Sequence, residues 1–147
     1  MRWYVGADHA GYCMKDALAT MLRGLGDEVI DLGTNSGASV DYPDFGERVA
    51  RKVAEQQDSL GLLVCGTGVG ISMAANKVPG VRAARVTETF SARAAREHND
   101  ANVLCLGERV TGAGLAEEIV RVFRDTAFAG GRHARRVEQL AELDRRP

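Results

Sequence analysis

Only three cysteines occur in the 147 residues, Cys13, Cys65 and Cys105, and none belongs to a C-x-x-C or C-x-x-H pair. A disulfide framework and a thiolate metal site both depend on such spacings, so neither is expected. An excess of charge is also missing: 19 Lys+Arg stand against 20 Asp+Glu, a net charge of −1. That balance removes the electrostatic case for nucleic acid or an anionic membrane as partner. No apolar run approaches the roughly 18 residues of a membrane span, and Met1 leads directly into a strand-like segment in place of a signal peptide. Internal repeats, low-complexity tracts and inter-domain linkers are absent as well. What remains is one domain over residues 1–147, 45% hydrophobic and 27% charged, long enough to bury a core and expected in the reducing cytoplasm.

What is present alternates between two periods. Arg2 to Ala7, Glu28 to Leu32, Leu60 to Cys65, Val81 to Val86 and Val103 to Leu106 read as strands. Helices are expected over about 11–25, after Pro43 (Phe45, Val49 and Val53 on one face), and near 71–77 and 88–97. A further helix over about 113–127 carries Leu115, Ile119, Val122, Phe123 and Thr126 as its apolar stripe, and the last starts around His133. Thr34 to Ser39 is turn chemistry. Strands alternating with helices imply a parallel sheet covered on both faces.

The most informative stretch is Leu62-Leu63-Val64-Cys65-Gly66-Thr67-Gly68-Val69-Gly70. An apolar strand delivers a thiol to its carboxyl end and enters a glycine-rich turn, with a helix expected from Ile71. Backbone N–H groups then converge on one spot, which favours an anion. A thiolate held there shares that positive field and is stabilised by it. The loop lacks the Lys-Ser/Thr of a P-loop, and its glycines run G-x-G-x-G, not G-x-G-x-x-G. Nucleotide binding is therefore poorly supported. Cys13 and Cys105, by contrast, read as ordinary interior cysteines, one in an apolar helix start and one within a strand.

Ligands of parallel sheets bind outside the carboxyl ends of the strands. Asp8-His9 follows the first strand, Cys65 to Gly70 the third and Gly107-Glu108-Arg109 the fifth, so all three should share one sheet edge.

Six segments in order carry a family resemblance. They are Asp8-His9-Ala10-Gly11, Asp41-Tyr42-Pro43, Cys65-Gly66-Thr67-Gly68-Val69-Gly70-Ile71-Ser72, Ala74-Ala75-Asn76-Lys77, Glu97-His98-Asn99-Asp100-Ala101-Asn102-Val103 and Gly130-Gly131-Arg132-His133. Together they resemble the type B ribose-5-phosphate isomerases and the related galactose- and allose-phosphate isomerases, over nearly the whole chain. The resemblance implies a three-layer, Rossmann-like α/β sandwich with a five-stranded parallel sheet. It implies a homodimer or dimer of dimers with sites at the subunit interface, and aldose–ketose isomerisation without metal or cofactor.

It also implies roles. Cys65 is the base that moves a proton between neighbouring carbons, with Thr67 adding a hydrogen bond to the thiolate and Gly66, Thr67, Gly68, Val69 and Gly70 stabilising the enediolate oxygens. One branch of the family uses a Glu just after the glycine loop, where this chain has Ile71. His98 is the acid that opens the sugar ring, and its place near a helix C-terminus suits a cationic imidazole. Asn99 holds sugar hydroxyls, and Asp8 and Tyr42 assist either sugar binding or ring opening. His9, Arg109, Arg132 and Arg136 take the phosphate; the last two are four apart and share one helix face, in a C-terminal helix of about 133–145. Arg135, Arg145 and Arg146 read as a solvated basic tail.

The sugar is open among ribose 5-phosphate, allose 6-phosphate, galactose 6-phosphate and a tetrose phosphate. Outside isomerase chemistry two readings stand: a non-catalytic phosphosugar-binding subunit, and a nucleotide sensor with a redox thiol, for which Asp31 is the only candidate ribose ligand.

Overall fold

The computed structural model describes residues 1–147. In chain order the elements are β1 (Arg2–Ala7), α1 (Tyr12–Gly24), β2 (Glu28–Asp31), α2 (Tyr42–Glu55), β3 (Ser59–Cys65) and α3 (Val69–Ala75). There follow β4 (Ala83–Arg85), α4 (Thr89–Asn99), β5 (Val103–Gly107), α5 (Ala113–Asp125) and α6 (Arg132–Asp144). All strand pairs are parallel, in the order β2-β1-β3-β5-β4. The direction of winding reverses between β1 and β3, and the crevice at such a reversal is where ligands of these folds bind.

The central strand explains the two layers of helices. β3 is buried along its whole length, so it needs apolar side chains on both faces and reads as a continuous run, not an alternation. Leu60, Leu62 and Val64 point into a core shared with Met14, Leu18 and Leu22 of α1, Ala92 and Ala95 of α4, and Ile119, Val120 and Phe123 of α5. Leu63 and Cys65 point the other way, against Val49, Ala50 and Val53 of α2 and Ile71 and Ala75 of α3. Each fully buried leucine contributes about 2 kcal/mol.

At the strand starts, Asp27 ties three segments together. Its carboxylate accepts hydrogen bonds from Arg124 Nε (2.6 Å) and Nη2 (2.9 Å), the N-terminal ammonium (3.0 Å) and Trp3 Nε1 (3.2 Å). Bonding to the Arg124 guanidinium holds the Asp27 carboxyl below the usual carboxylate range, against the opposing effect of its burial.

Three expectations are corrected. The buried face of α5 is Ala116, Ile119, Val120 and Phe123, while Leu115 is 40% exposed and Val122 only partly buried. The fully buried Ala116, and not Leu115, belongs to the inward face, which turns the stripe by one residue. Cys13 is exposed, because the inner face of α1 is Met14, Lys15, Leu18, Ala19 and Leu22. The fourth strand pairs only over Ala83–Arg85, shorter than the apolar run around it.

Candidate active site

Because β1 and β5 both pair with β3, their carboxyl ends flank Cys65. The loop after Cys65 is fixed by the backbone that follows β5: Glu108 N donates to Cys65 O at 2.9 Å, and Arg109 N donates to Gly66 O at 3.0 Å. Two glycines make close approaches possible. A Cβ on Gly107 would stand 2.5 Å from the Thr67 carbonyl carbon, and one on Gly11 would stand 2.5 Å from Val64 C and O. A side chain at Gly107 would push the Cys65 loop off β5, and one at Gly11 would push the start of α1 off β3.

Within the loop, Gly68 takes φ +78°, a conformation that suits glycine, and turns its N–H onto Cys65 Sγ at 3.1 Å. The expected donor, the Thr67 hydroxyl, instead accepts from Val69 N at 3.2 Å. The sulfur is therefore addressed by backbone. Arg109 lies along Gly66, where an added Cβ would meet Nη1 at 3.3 Å, and the Tyr42 ring covers Gly70, where a Cβ would meet it at 2.5 Å. Asp8 is buried, with Oδ1 accepting from Ala10 N at 2.9 Å. His9 Nδ1 lies 3.2 Å from Val40 N and 3.3 Å from Val40 O, which moors the 34–40 loop beside the crevice. Asp8, His9, Tyr42, Cys65, Gly66 to Gly70 and Arg109 thus share one edge, as the topology requires.

The remaining predicted residues stand elsewhere. α4 runs antiparallel to the strands and returns the chain through Asn99 to Asn102 into the start of β5, so His98 and Asn99 lie at the opposite edge. β3 alone separates the two edges by about 20 Å. His98 stacks on His133, with ring centroids 4.4 Å apart and planes within 15°. Arg132 opens α6 and Arg136 follows one turn later. Asn99 and Arg136 border a cleft of about 460 Å³ with Gln139 and Arg146. His133 is held below its ordinary range, first by desolvation and then by the positive charge of His98, Arg132 and Arg136. This edge gathers His98, His133, Arg132 and Arg136 and holds no cysteine, while Cys65 stands at the other edge with His9 and Arg109.

The neighbouring Cys105 marks the contrast with Cys65. It sits inside β5, fully buried, and burial pushes its thiol far above the ordinary range. Lys15 was missed in the sequence. It is wholly buried on the inner face of α1, and its Nζ donates to both Asp31 oxygens at 2.8 Å and to Asn35 Oδ1 at 2.7 Å. It fastens the end of β2 and the loop that holds His9. Asp31 is thereby occupied, which weakens it as a nucleotide ligand. A lysine within an apolar helix face, with an Asp ending the next strand, is the signal that could have found it. No three His, Cys, Asp or Glu side chains are grouped to hold a metal ion, and no helix is long and apolar enough to cross a membrane.

Comparison with known proteins bears on this site as a whole. The model of the family described as Ribose/Galactose Isomerase matches residues 4–140. Ribose-5-phosphate isomerase B of Escherichia coli is 45% identical over 141 residues, covering 96% of this chain and 95% of that protein. Among solved structures, Clostridium thermocellum ribose-5-phosphate isomerase B superposes with a TM-score of 0.94 at 52% identity, covering 99% of this chain and 98% of the other. The Mycoplasma genitalium ribose-5-phosphate isomerase B with bound ribulose-5-phosphate gives 0.96 at 42% identity, covering 99% and 97%. Fold and length agree throughout: the chain belongs to the ribose/galactose isomerase family.

Proposed function

We propose that this chain interconverts ribose 5-phosphate and ribulose 5-phosphate without metal or cofactor, in sites shared by two copies of the chain. The observation that carries this reading is the division of the predicted residues between opposite edges of one sheet. A thiol base with backbone donors stands at one edge. The imidazole, amide and guanidinium groups of His98, Asn99, Arg132 and Arg136 stand at the other. A symmetric dimer that brings the first edge of one copy to the second edge of its mate completes two identical sites.

In that site His98 of the second copy gives a proton to the ring oxygen while the anomeric hydroxyl loses its own to water, which opens the furanose. The Cys65 thiolate then takes the proton from C2 of the aldose and the C1 carbonyl becomes an enediolate oxygen; the O2 hydroxyl proton passes to O1, and the Cys65 thiol returns its proton to C1 as the C2 ketone forms. The N–H groups of Gly66 to Gly70 offset the charge on the enediolate, which is where stabilisation matters most in such reactions. Asp8, Tyr42 and Asn99 hold sugar hydroxyls, and His9, Arg109, Arg132 and Arg136 hold the phosphate. A pentose and a hexose phosphate differ by a step worth only about 1–3 kcal/mol in a pocket, so turnover of allose 6-phosphate or a tetrose phosphate at lower efficiency fits the same machinery.

The test is a coupled assay in chelator with ribose 5-phosphate, allose 6-phosphate, galactose 6-phosphate and erythrose 4-phosphate, with Cys65→Ala as control. Turnover of ribose 5-phosphate that disappears in the control supports the reading. Turnover of another sugar alone keeps the mechanism and changes the substrate, while binding without turnover of any of them leaves a phosphosugar-binding subunit.

A further inference from the structure

Arg85 has no place in the chemistry above, yet it grips the one peptide that addresses the Cys65 sulfur. It ends β4, the edge strand, and its Nε donates to Thr67 O at 3.0 Å. Its aliphatic stem fills the space beside Gly68, with Cγ 3.2 Å from where a Gly68 Cβ would stand. The neighbouring Arg82 is paired with Asp100 at 3.1 Å, whereas Arg85 commits its guanidinium to a backbone carbonyl. That carbonyl belongs to the Thr67–Gly68 peptide, whose N–H is the donor on Cys65 Sγ at 3.1 Å. A cation bonded to the oxygen of a peptide draws electron density toward that oxygen and makes its N–H a stronger donor. A stronger donor on a sulfur favours the thiolate over the thiol.

We propose that Arg85 is a positioning residue that acts through the Thr67–Gly68 peptide to favour the Cys65 thiolate. The role rests on Cys65 being the base, and it is separable from that reading because the thiol can be titrated without any substrate. The other ionisable groups around Cys65 stay constant in the comparison. They are Cys105 inside β5, Glu108 and Arg109 after it, Asp8 and His9 after β1, and Tyr42 at the start of α2. The Glu108 carboxylate is turned away, accepting from Met14 N at 3.1 Å.

The experiment is a pH titration of full-length protein labelled with carbon-13 at cysteine Cβ, the Cys65 signal being assigned through Cys65→Ser. Arg85→Met keeps the stem and removes the charge, and Arg85→Lys keeps the charge. In Arg85→Met the Cys65 midpoint is expected to rise by roughly half a pH unit, about threefold in thiolate fraction. The Gly68 amide proton should shift upfield with it, and Arg85→Lys should recover most of both effects. In turnover, Arg85→Met should lower kcat on the acid side of the profile with KM for ribose 5-phosphate unchanged. Identical Cys65 midpoints in the parent and Arg85→Met would overturn the proposal whatever the turnover. A raised midpoint in a protein without isomerase activity would uphold it while removing the proposed reaction.

Discussion

The two edges of the sheet are built by different means. At the strand carboxyl ends the site is made of backbone. Gly107 lets the Cys65 loop lie on β5 with no room to spare, Gly11 does the same for the start of α1 on β3, and the Gly68 N–H is aimed at the Cys65 sulfur. At the strand amino ends the functional groups are side chains on the exposed end of α4 and on α6, a helix with no buried residue. The first edge is preorganised by the fold that creates it. The second is displayed on the outer surfaces of helices, and under the proposed function it acts only when another copy faces it. A rigid half and a displayed half are what a site shared between two copies requires: the chain that carries both can serve as either side.

The largest effect that sharpens this contrast comes from Cys65→Ala, which removes the proposed base and leaves the loop in place. A loss in kcat of about 10⁴-fold or more is expected, with an unchanged melting temperature. His98→Asn, at the displayed edge, should cost about 10²-fold, because one proton transfer is lost while base and enediolate donors remain. Steady-state kinetics beside thermal unfolding distinguishes both from misfolding.

Gly107→Ala probes the rigid edge as structure. The new methyl meets the Thr67 carbonyl carbon at 2.5 Å, and overpacking of this kind costs about 1–3 kcal/mol. Denaturant unfolding should show that loss, with kcat reduced as well because the loop is displaced. An alanine at Gly114, which meets nothing within 4 Å, should leave both unchanged.

Asp27→Asn separates stability from catalysis. It unbalances a buried ion pair with Arg124 and should cost about 3 kcal/mol with kcat unaltered. The Asp27 carboxyl is held below its ordinary range, so its contribution is complete above the unfolded value of about 4 and fades as pH falls through the lower folded value. The parent should therefore lose more stability than Asp27→Asn on acidification below about pH 4, as read by urea unfolding at a series of pH values. The smallest effect concerns His133. Its lowered range means it stays neutral at pH 7 beside His98, and replacing Arg132 and Arg136 by Gln should raise its midpoint, measured by nitrogen-15 NMR of the imidazoles.

How far the sequence discloses this molecule follows the same division. The parallel sheet and its helices are written in periodicity, and the shared edge of Asp8, Cys65 and Arg109 follows from strand order alone. The failures are local. The α5 stripe is turned because the buried face begins at a small residue, Ala116, which a search for large apolar side chains passes over. Cys13 was misread because an apolar helix start does not say which side faces solvent. Lys15 went unnoticed because its partners Asp31 and Asn35 are distant in sequence. The Gly68 N–H on Cys65 could not be foreseen, since it depends on the path of the turn over residues 65–68 and not on residue type alone. Nor does any motif reveal that His98 lies a strand's length from Cys65 within one chain. That follows only from the direction of α4.

The most direct measurement mixes the two dead variants. Cys65→Ala and His98→Asn, each inactive or nearly so alone, are unfolded together, refolded as a mixture and assayed on ribose 5-phosphate. If each site takes its thiol from one copy and its imidazole from the other, mixed dimers carry one intact site, and about a quarter of parental activity should return. Mixed dimers confirmed by native mass spectrometry yet lacking recovered activity would contradict a site shared across the two edges.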